Sequence, residues 1–248
     1  MIHQEYKRIV ENSNTAVLFI HGIIGSPHQF RDLIPLVPES FSIHNMLLPG
    51  HGGDTRSFGK ASMKQWEEAT EKALLSLATT CENIIVVGHS MGTLLAITLA
   101  LKHPDKIKLL FLQAVPLFPM PRYQAFQVAH AILYKDESKY TKIEAQARDA
   151  YSITPDRDLT QYKGWYKRYI ELFKKAREIR LRLGEITVPC IAIQSRQDEL
   201  VSNRSEETLR NFDNILTYSL ANSAHYIYSK EDKETMLWYF KEQMNKFI

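Results

Sequence analysis

Ile84-Ile85-Val86-Val87-Gly88-His89-Ser90-Met91-Gly92 is the stretch that decides the fold. The first four residues read as a buried strand, and Met91 to Lys102 reads as a helix apolar on nearly every side, so Ser90 falls on a sharp strand-to-helix turn. Such a turn holds the serine in a strained backbone conformation. A side chain at either flanking glycine would strike the neighbouring chain. A helix with no polar face must lie against a sheet.

Working outward, Thr15 to Ile20 reads as a second buried strand, Pro27 to Val37 as a helix with proline in its first turn, and Ser42 to Leu48 as a strand. Ser62 to Ala78 carries Met63, Trp66, Thr70, Ala73 and Leu77 on one stripe, with Ser62 to Gln65 as a capping box, and predicts an amphipathic surface helix. Beyond the serine, Ile107 to Val115 is a strand. The rhythm breaks at Pro116-Leu117-Phe118-Pro119-Met120-Pro121 and stays helical to about Glu185. The sheet resumes at Val188 to Ile193, followed by a helix near Ser205 to Phe212, a strand from Asn214 to Leu220, and an amphipathic helix near Glu231 to Phe247. This alternation predicts an α/β fold, a mostly parallel sheet with right-handed crossovers and helices on both faces. The expected division is a core of residues 1–116 and 186–248 with a helical cap, 117–185, inserted in it.

With 248 residues, 44% hydrophobic and 24% charged, the chain fits one large α/β unit better than two domains. Lys plus Arg number 31 against 28 Asp plus Glu, a formal charge of +3, too small for an electrostatic grip on nucleic acid. Residues 1–8 lack the apolar core of a signal peptide. The longest apolar run, Leu94 to Leu101, is far short of the roughly 20 residues of a membrane span. Cys81 and Cys190 each adjoin a strand-like run rather than a loop-rich disulfide framework. The expectation is a reduced, cytoplasmic protein with no integral membrane association and no nucleic-acid partner.

A serine hydroxyl needs a base to take its proton and a carboxylate to orient that base. Asp198 follows the strand ending near Ile193 to Ser195, and His225 follows the strand ending at Leu220. Both fall in loops at the carboxyl edge of the sheet, where Ser90 also lies. Asp54, which follows an earlier strand, and Glu199, next to Asp198, are rival carboxylates. An oxyanion needs paired main-chain donors. Met91, first in the helix after the serine, supplies one. The loop His21-Gly22-Ile23-Ile24-Gly25 supplies the other, assigned to Ile23. His89 is expected to pack rather than react, and His51 to shape a turn beside the site.

His21-Gly22-Ile23-Ile24-Gly25-Ser26, Leu48-Pro49-Gly50-His51-Gly52, Gly88-His89-Ser90-Met91-Gly92, Asp198-Glu199-Leu200-Val201 and Ser223-Ala224-His225 resemble the successive landmarks of serine α/β-hydrolases. The likeness is greatest to the bacterial carboxylesterase and monoacylglycerol lipase group. It spans nearly the whole chain outside the cap. Thr93 stands where a second glycine often follows the elbow, and Ala224 where glycine often precedes the histidine. The resemblance implies a serine ester hydrolase with no metal and no cofactor, acting on a small-molecule ester.

Two other readings stay open. Leu48 to Gly53 also resembles a cap-bearing lyase of this fold that makes a menaquinone precursor, in which cap arginines hold substrate carboxylates; Arg122, Arg148 or Arg157 would serve here. A non-catalytic ligand receptor usually lacks a triad member, and none is missing. The cap carries Phe118, Tyr123, Phe126 and Trp165, expected to line an apolar pocket over Ser90. Its basic stretch, Lys163 to Arg182, reads as a solvated helix face with an apolar stripe toward the pocket, the rival reading being an anionic lipid surface or acidic substrate. Whether two copies pair as a homodimer is also open.

Overall fold

The computed structural model describes residues 3–248. Seven strands, β1 (Tyr6–Arg8), β2 (Thr15–Ile20), β3 (Ser42–Asn45), β4 (Asn83–His89), β5 (Ile107–Gln113), β6 (Cys190–Ser195) and β7 (Ile215–Leu220), form one sheet in the order β1-β3-β2-β4-β5-β6-β7. Only β1 runs antiparallel, paired with β3 at the edge; every other pairing is parallel.

Strand chemistry dictates this arrangement. Successive side chains point to opposite faces, and both sets are apolar. Ala16, Leu18, Ile84, Val86, Leu110, Leu112 and Ala192 enter one buried cluster, while Val17, Phe19, Ile85, Val87, Phe111, Ile191 and Ile193 enter the other. A sheet apolar on both faces requires helices on both. In chain order the helices are α1 (Thr55–Lys60), α2 (Met63–Leu77), α3 (Met91–Lys102), α4 (Tyr123–Tyr134), α5 (Lys142–Ala150), α6 (Trp165–Arg182), α7 (Arg204–Leu209) and α8 (Lys230–Asn245). Helices α2 and α3 cover the first face. Helix α8 covers the second through Met236, Phe240 and Met244 at successive intervals of four.

Several boundaries differ from expectation. Pro27 to Val37 is not one helix but two short 3-10 turns, Pro27–Phe30 and Ile34–Leu36; Pro35 cannot donate to a helical ladder and its ring clashes with the preceding turn. Strand β3 stops at Asn45. At the start of α2, the Ser62 hydroxyl accepts from the Gln65 N–H, but the Gln65 side chain meets that hydroxyl and leaves the capping box half made.

The chain leaves the sheet at Gln113 and rejoins it at Cys190, with α4, α5 and α6 between. Helix α6 buries Leu172, Ala176 and Ile179 in the first core cluster, so its apolar stripe faces α3 and the core rather than a pocket. Its buried Lys175 is paired with Glu67 of α2 and with Glu178.

Candidate active site

The turn after β4 is as tight as its sequence implies. Ser90 has φ 51° and ψ −124°, a region that side chains other than glycine rarely enter. It is held there by its N–H donating to Gln113 O at 2.8 Å, and by Thr93, whose N–H and hydroxyl both donate to Ser90 O. A Cβ at Gly88 would lie 2.8 Å from the Thr93 main chain, and one at Gly92 would overlap the carbonyl of Ile20. Strand β2 therefore passes directly behind the elbow.

His225 lies against this turn. The His89 ring is 5.0 Å from the His225 ring, and His89 Nε2 donates to His225 O at 3.2 Å. Asp198 Oδ2 is 2.7 Å from His225 Nδ1. A carboxylate only accepts, so the imidazole proton is on Nδ1. That leaves Nε2 buried, without a hydrogen-bond partner among the described residues. The second oxygen of Asp198 accepts from the N–H groups of Leu200 and Val201, both at 2.8 Å.

Electrostatics favour the charged pair. Burial alone would lower the His225 pKa, but the charge and hydrogen bond of Asp198 and the charge of Glu199 outweigh it and hold it above the ordinary value. Burial alone would raise the Asp198 carboxyl; His225 and the two backbone N–H groups hold it below its ordinary value instead. In contrast, burial and the nearby His225 press His89 down to about 3, so it is neutral at physiological pH.

The loop after β2 is pinned beside Ser90. A Cβ on Gly22 would lie 2.9 Å from the Ser90 Cβ, so the main chain leading into Ile23 runs past the serine. His21 is fully buried and, through burial and its neighbour His51, is held well below its ordinary pKa. A neutral ring explains its contacts: Nδ1 donates to Gly22 O at 2.8 Å and Nε2 accepts from Leu48 N–H at 3.0 Å. Ile24 adopts φ 53°, costly for a β-branched residue. Ser152 clamps that turn, donating from its N–H to Ile24 O and from its hydroxyl to Gly25 O. Among the described residues, neither Ile23 N–H nor Met91 N–H donates to a protein acceptor.

Ser90, Asp198, His225, Ile23 and Met91 are thus gathered at one edge of the sheet. Ser90 is 6% exposed. The other expected residues are not gathered there. Tyr123 and Phe126 are 74% and 61% exposed, on the outer face of α4, so the expectation that they line a pocket over Ser90 is not met. Trp165 packs on Phe58 at 4.6 Å and donates to Thr55 O, joining α6 to α1. Phe118 lies in a separate groove, with the guanidiniums of Arg180 and Arg204 near its ring. Asp54 is the N-cap of α1, accepting from Ser57 N–H. Arg122 and Arg157 are exposed, while Arg148 donates to Tyr151 O and pairs with Glu137.

Sequence reasoning treated Glu199 only as a rival acid. Its Oε2 instead accepts from the His225 main-chain N–H at 3.1 Å, which ties the histidine loop to the acid loop. Among the described residues no group of three or more His, Cys, Asp or Glu side chains is placed to hold a metal ion, and no helix is long and apolar enough to cross a membrane.

Comparison with known proteins agrees with this fold. Residues 15–138 match the family model for the alpha/beta hydrolase fold. Over 96 residues, 38% of this chain and 38% of the relative, the sequence is 32% identical to a thermostable monoacylglycerol lipase from Bacillus sp. strain H-257. It is 31% identical over 114 residues, 46% of this chain and 42% of the relative, to a pimeloyl-[acyl-carrier protein] methyl ester esterase from Neisseria meningitidis. The matched segments thus cover well under half of those relatives' length. In fold, the chain superposes on the crystal structure of a Paleococcus ferrophilus monoacylglycerol lipase with a TM-score of 0.71, at 17% identity and 99% coverage of both chains.

Proposed function

The chain belongs to the α/β-hydrolase family, and from that premise we propose that it is a serine carboxylic ester hydrolase working through an acyl-enzyme. The observation that carries the reading is the buried Asp198–His225 pair set against the Ser90 elbow with Nε2 unengaged. His225 Nε2 takes the proton of the Ser90 hydroxyl as Oγ attacks the ester carbonyl. The carbonyl π pair moves onto oxygen, where the N–H groups of Ile23 and Met91 hold it. Collapse expels the alkoxide, which leaves as the alcohol with the proton from Nε2. A water molecule then repeats the sequence on the acyl-serine, releasing the acid and restoring Ser90.

Residues 117–185 serve as the cap over this site, and the substrates are short to medium acyl esters, monoacylglycerols among them. Similarity to a monoacylglycerol lipase and a methyl ester esterase supports an ester substrate. The lyase reading has less support: of its three candidate arginines, Arg122 and Arg157 are exposed and Arg148 is engaged by Tyr151 O and Glu137.

Turnover of aryl and glyceryl esters of increasing acyl length tests the proposal. An apolar pocket contributes about 0.8 kcal/mol per buried CH₂, so kcat/KM rises about fourfold per methylene until the pocket is full. Specificity independent of chain length, or inert esters alongside turnover of a diacid carbon-carbon substrate, would overturn it.

A further inference from the structure

A second concavity has a lining distinct from the residues gathered around Ser90. An open groove is lined by Phe118, Met120 and Phe173 together with Arg177, Arg180 and Arg204. Ser90, Asp198 and His225 take no part in it. The guanidiniums of Arg180 and Arg204 stand 4.3 and 4.5 Å from the Phe118 ring centroid. Cation–π attraction holds each guanidinium near the ring without using up its N–H donors. Arg180 is anchored further by donating to Leu117 O at 3.2 Å.

None of the three makes a salt bridge among the described residues, although carboxylates are near in sequence. Glu178 is paired with Lys175 and Arg182, Glu185 with Arg182, and Glu206 with Arg210, while Glu207 makes no ion pair among the described residues and does not line the groove. Three cations brought into one concavity without a counter-charge repel one another, and an anion relieves that repulsion. The remaining wall is apolar and open. Met120 and Phe173 are 49% and 45% exposed within it.

We propose that this groove binds a single anionic amphiphile, its phosphate held by Arg177, Arg180 and Arg204 and its apolar chain laid along Phe118, Met120 and Phe173. Phosphate fits three forks better than carboxylate does, because it offers more oxygens and up to about two negative charges. The arginines line a concavity rather than a flat face, which selects one molecule over a bilayer surface. The site also meets the catalytic frame. Ser202 N–H donates to Phe118 O and Met120 N–H to Leu200 O, so the groove wall pairs with the loop that carries Asp198.

The test is calorimetric titration with decyl phosphate below its micelle concentration, beside decyl glucoside, inorganic phosphate, and phosphatidylcholine vesicles with and without phosphatidylglycerol. Decyl phosphate binds with one site per chain and at least tenfold more tightly than decyl glucoside, and inorganic phosphate competes weakly. Arg177→Ala and Arg204→Ala, both at exposed positions, each weaken decyl phosphate by about tenfold with the melting temperature unchanged. Equal affinity for the neutral glucoside, full affinity in both variants, or binding to anionic vesicles without binding of monomeric decyl phosphate would overturn the proposal. None of these readouts depends on ester hydrolysis.

Discussion

His225 donates from Nδ1 to Asp198 Oδ2 across 2.7 Å in a setting where the histidine is fully buried and the carboxyl nearly so. The pairing fixes the tautomer and stabilises the imidazolium that forms when Nε2 takes a proton. Asp198→Asn keeps the size of the side chain but lets the ring adopt the wrong tautomer, so kcat falls by roughly 10⁴. Asp54→Asn, which alters only a helix cap, leaves the esterase rate within about threefold.

The same pair sets the pH dependence. Catalysis needs neutral His225, whose pKa is held above its ordinary value, so kcat/KM rises with pH through a midpoint above 6.5. Removing the Asp198 charge leaves burial as the main influence and moves the residual activity's midpoint downward. The linkage to stability has two signs. The raised His225 contributes stability that is present at low pH and lost as pH rises through its folded pKa, whereas the lowered Asp198 contributes stability lost as pH falls through its own. A pH profile of the rate and of the urea midpoint in wild type and Asp198→Asn checks both.

Glu199 acts through His225 rather than on substrate. Glu199→Gln retains an acceptor for the His225 N–H but not the charge, so its rate stays within about threefold while the pH midpoint drops. Glu199→Ala loses the acceptor as well and lowers kcat by about tenfold with little change in KM. Equal effects of the two substitutions would contradict this division.

Strain at the elbow is measurable as stability. Ser90 pays for φ 51° in every variant that keeps a Cβ, so Ser90→Gly melts above Ser90→Ala, the gain being about 1 kcal/mol. Gly92→Ala must push its Cβ into Ile20 O between two buried elements, and costs more than about 4 kcal/mol. Thermal unfolding of the three variants beside wild type reads both effects.

The parts of the fold that were legible in sequence are those under the strongest local rule. Two-sided burial makes β2, β4 and β5 largely apolar runs, and the elbow admits only glycine at 88 and 92. Strand β1 was missed because Tyr6–Arg8 is an exposed edge with no apolar alternation, and α1 because six residues containing Gly59 carry too little periodicity. The 27–37 segment looked helical because its apolar spacing outweighed Pro35. Tyr123 and Phe126 read as pocket residues because the cap carries more apolar and aromatic mass than its own short helices can bury. Nothing in sequence says that α4 turns them outward. Glu199 was passed over because its partner is a main-chain N–H, which leaves no mark on the sequence.

Covalent capture of Ser90 is the most direct measurement of the central claim. Intact-mass analysis after treatment with a fluorophosphonate should show one adduct per chain, and peptide mapping should place it on Ser90. Ser90→Ala should show no adduct and no turnover while retaining the wild-type circular dichroism spectrum. An adduct that persists in Ser90→Ala, or ester turnover that survives it, would contradict the account.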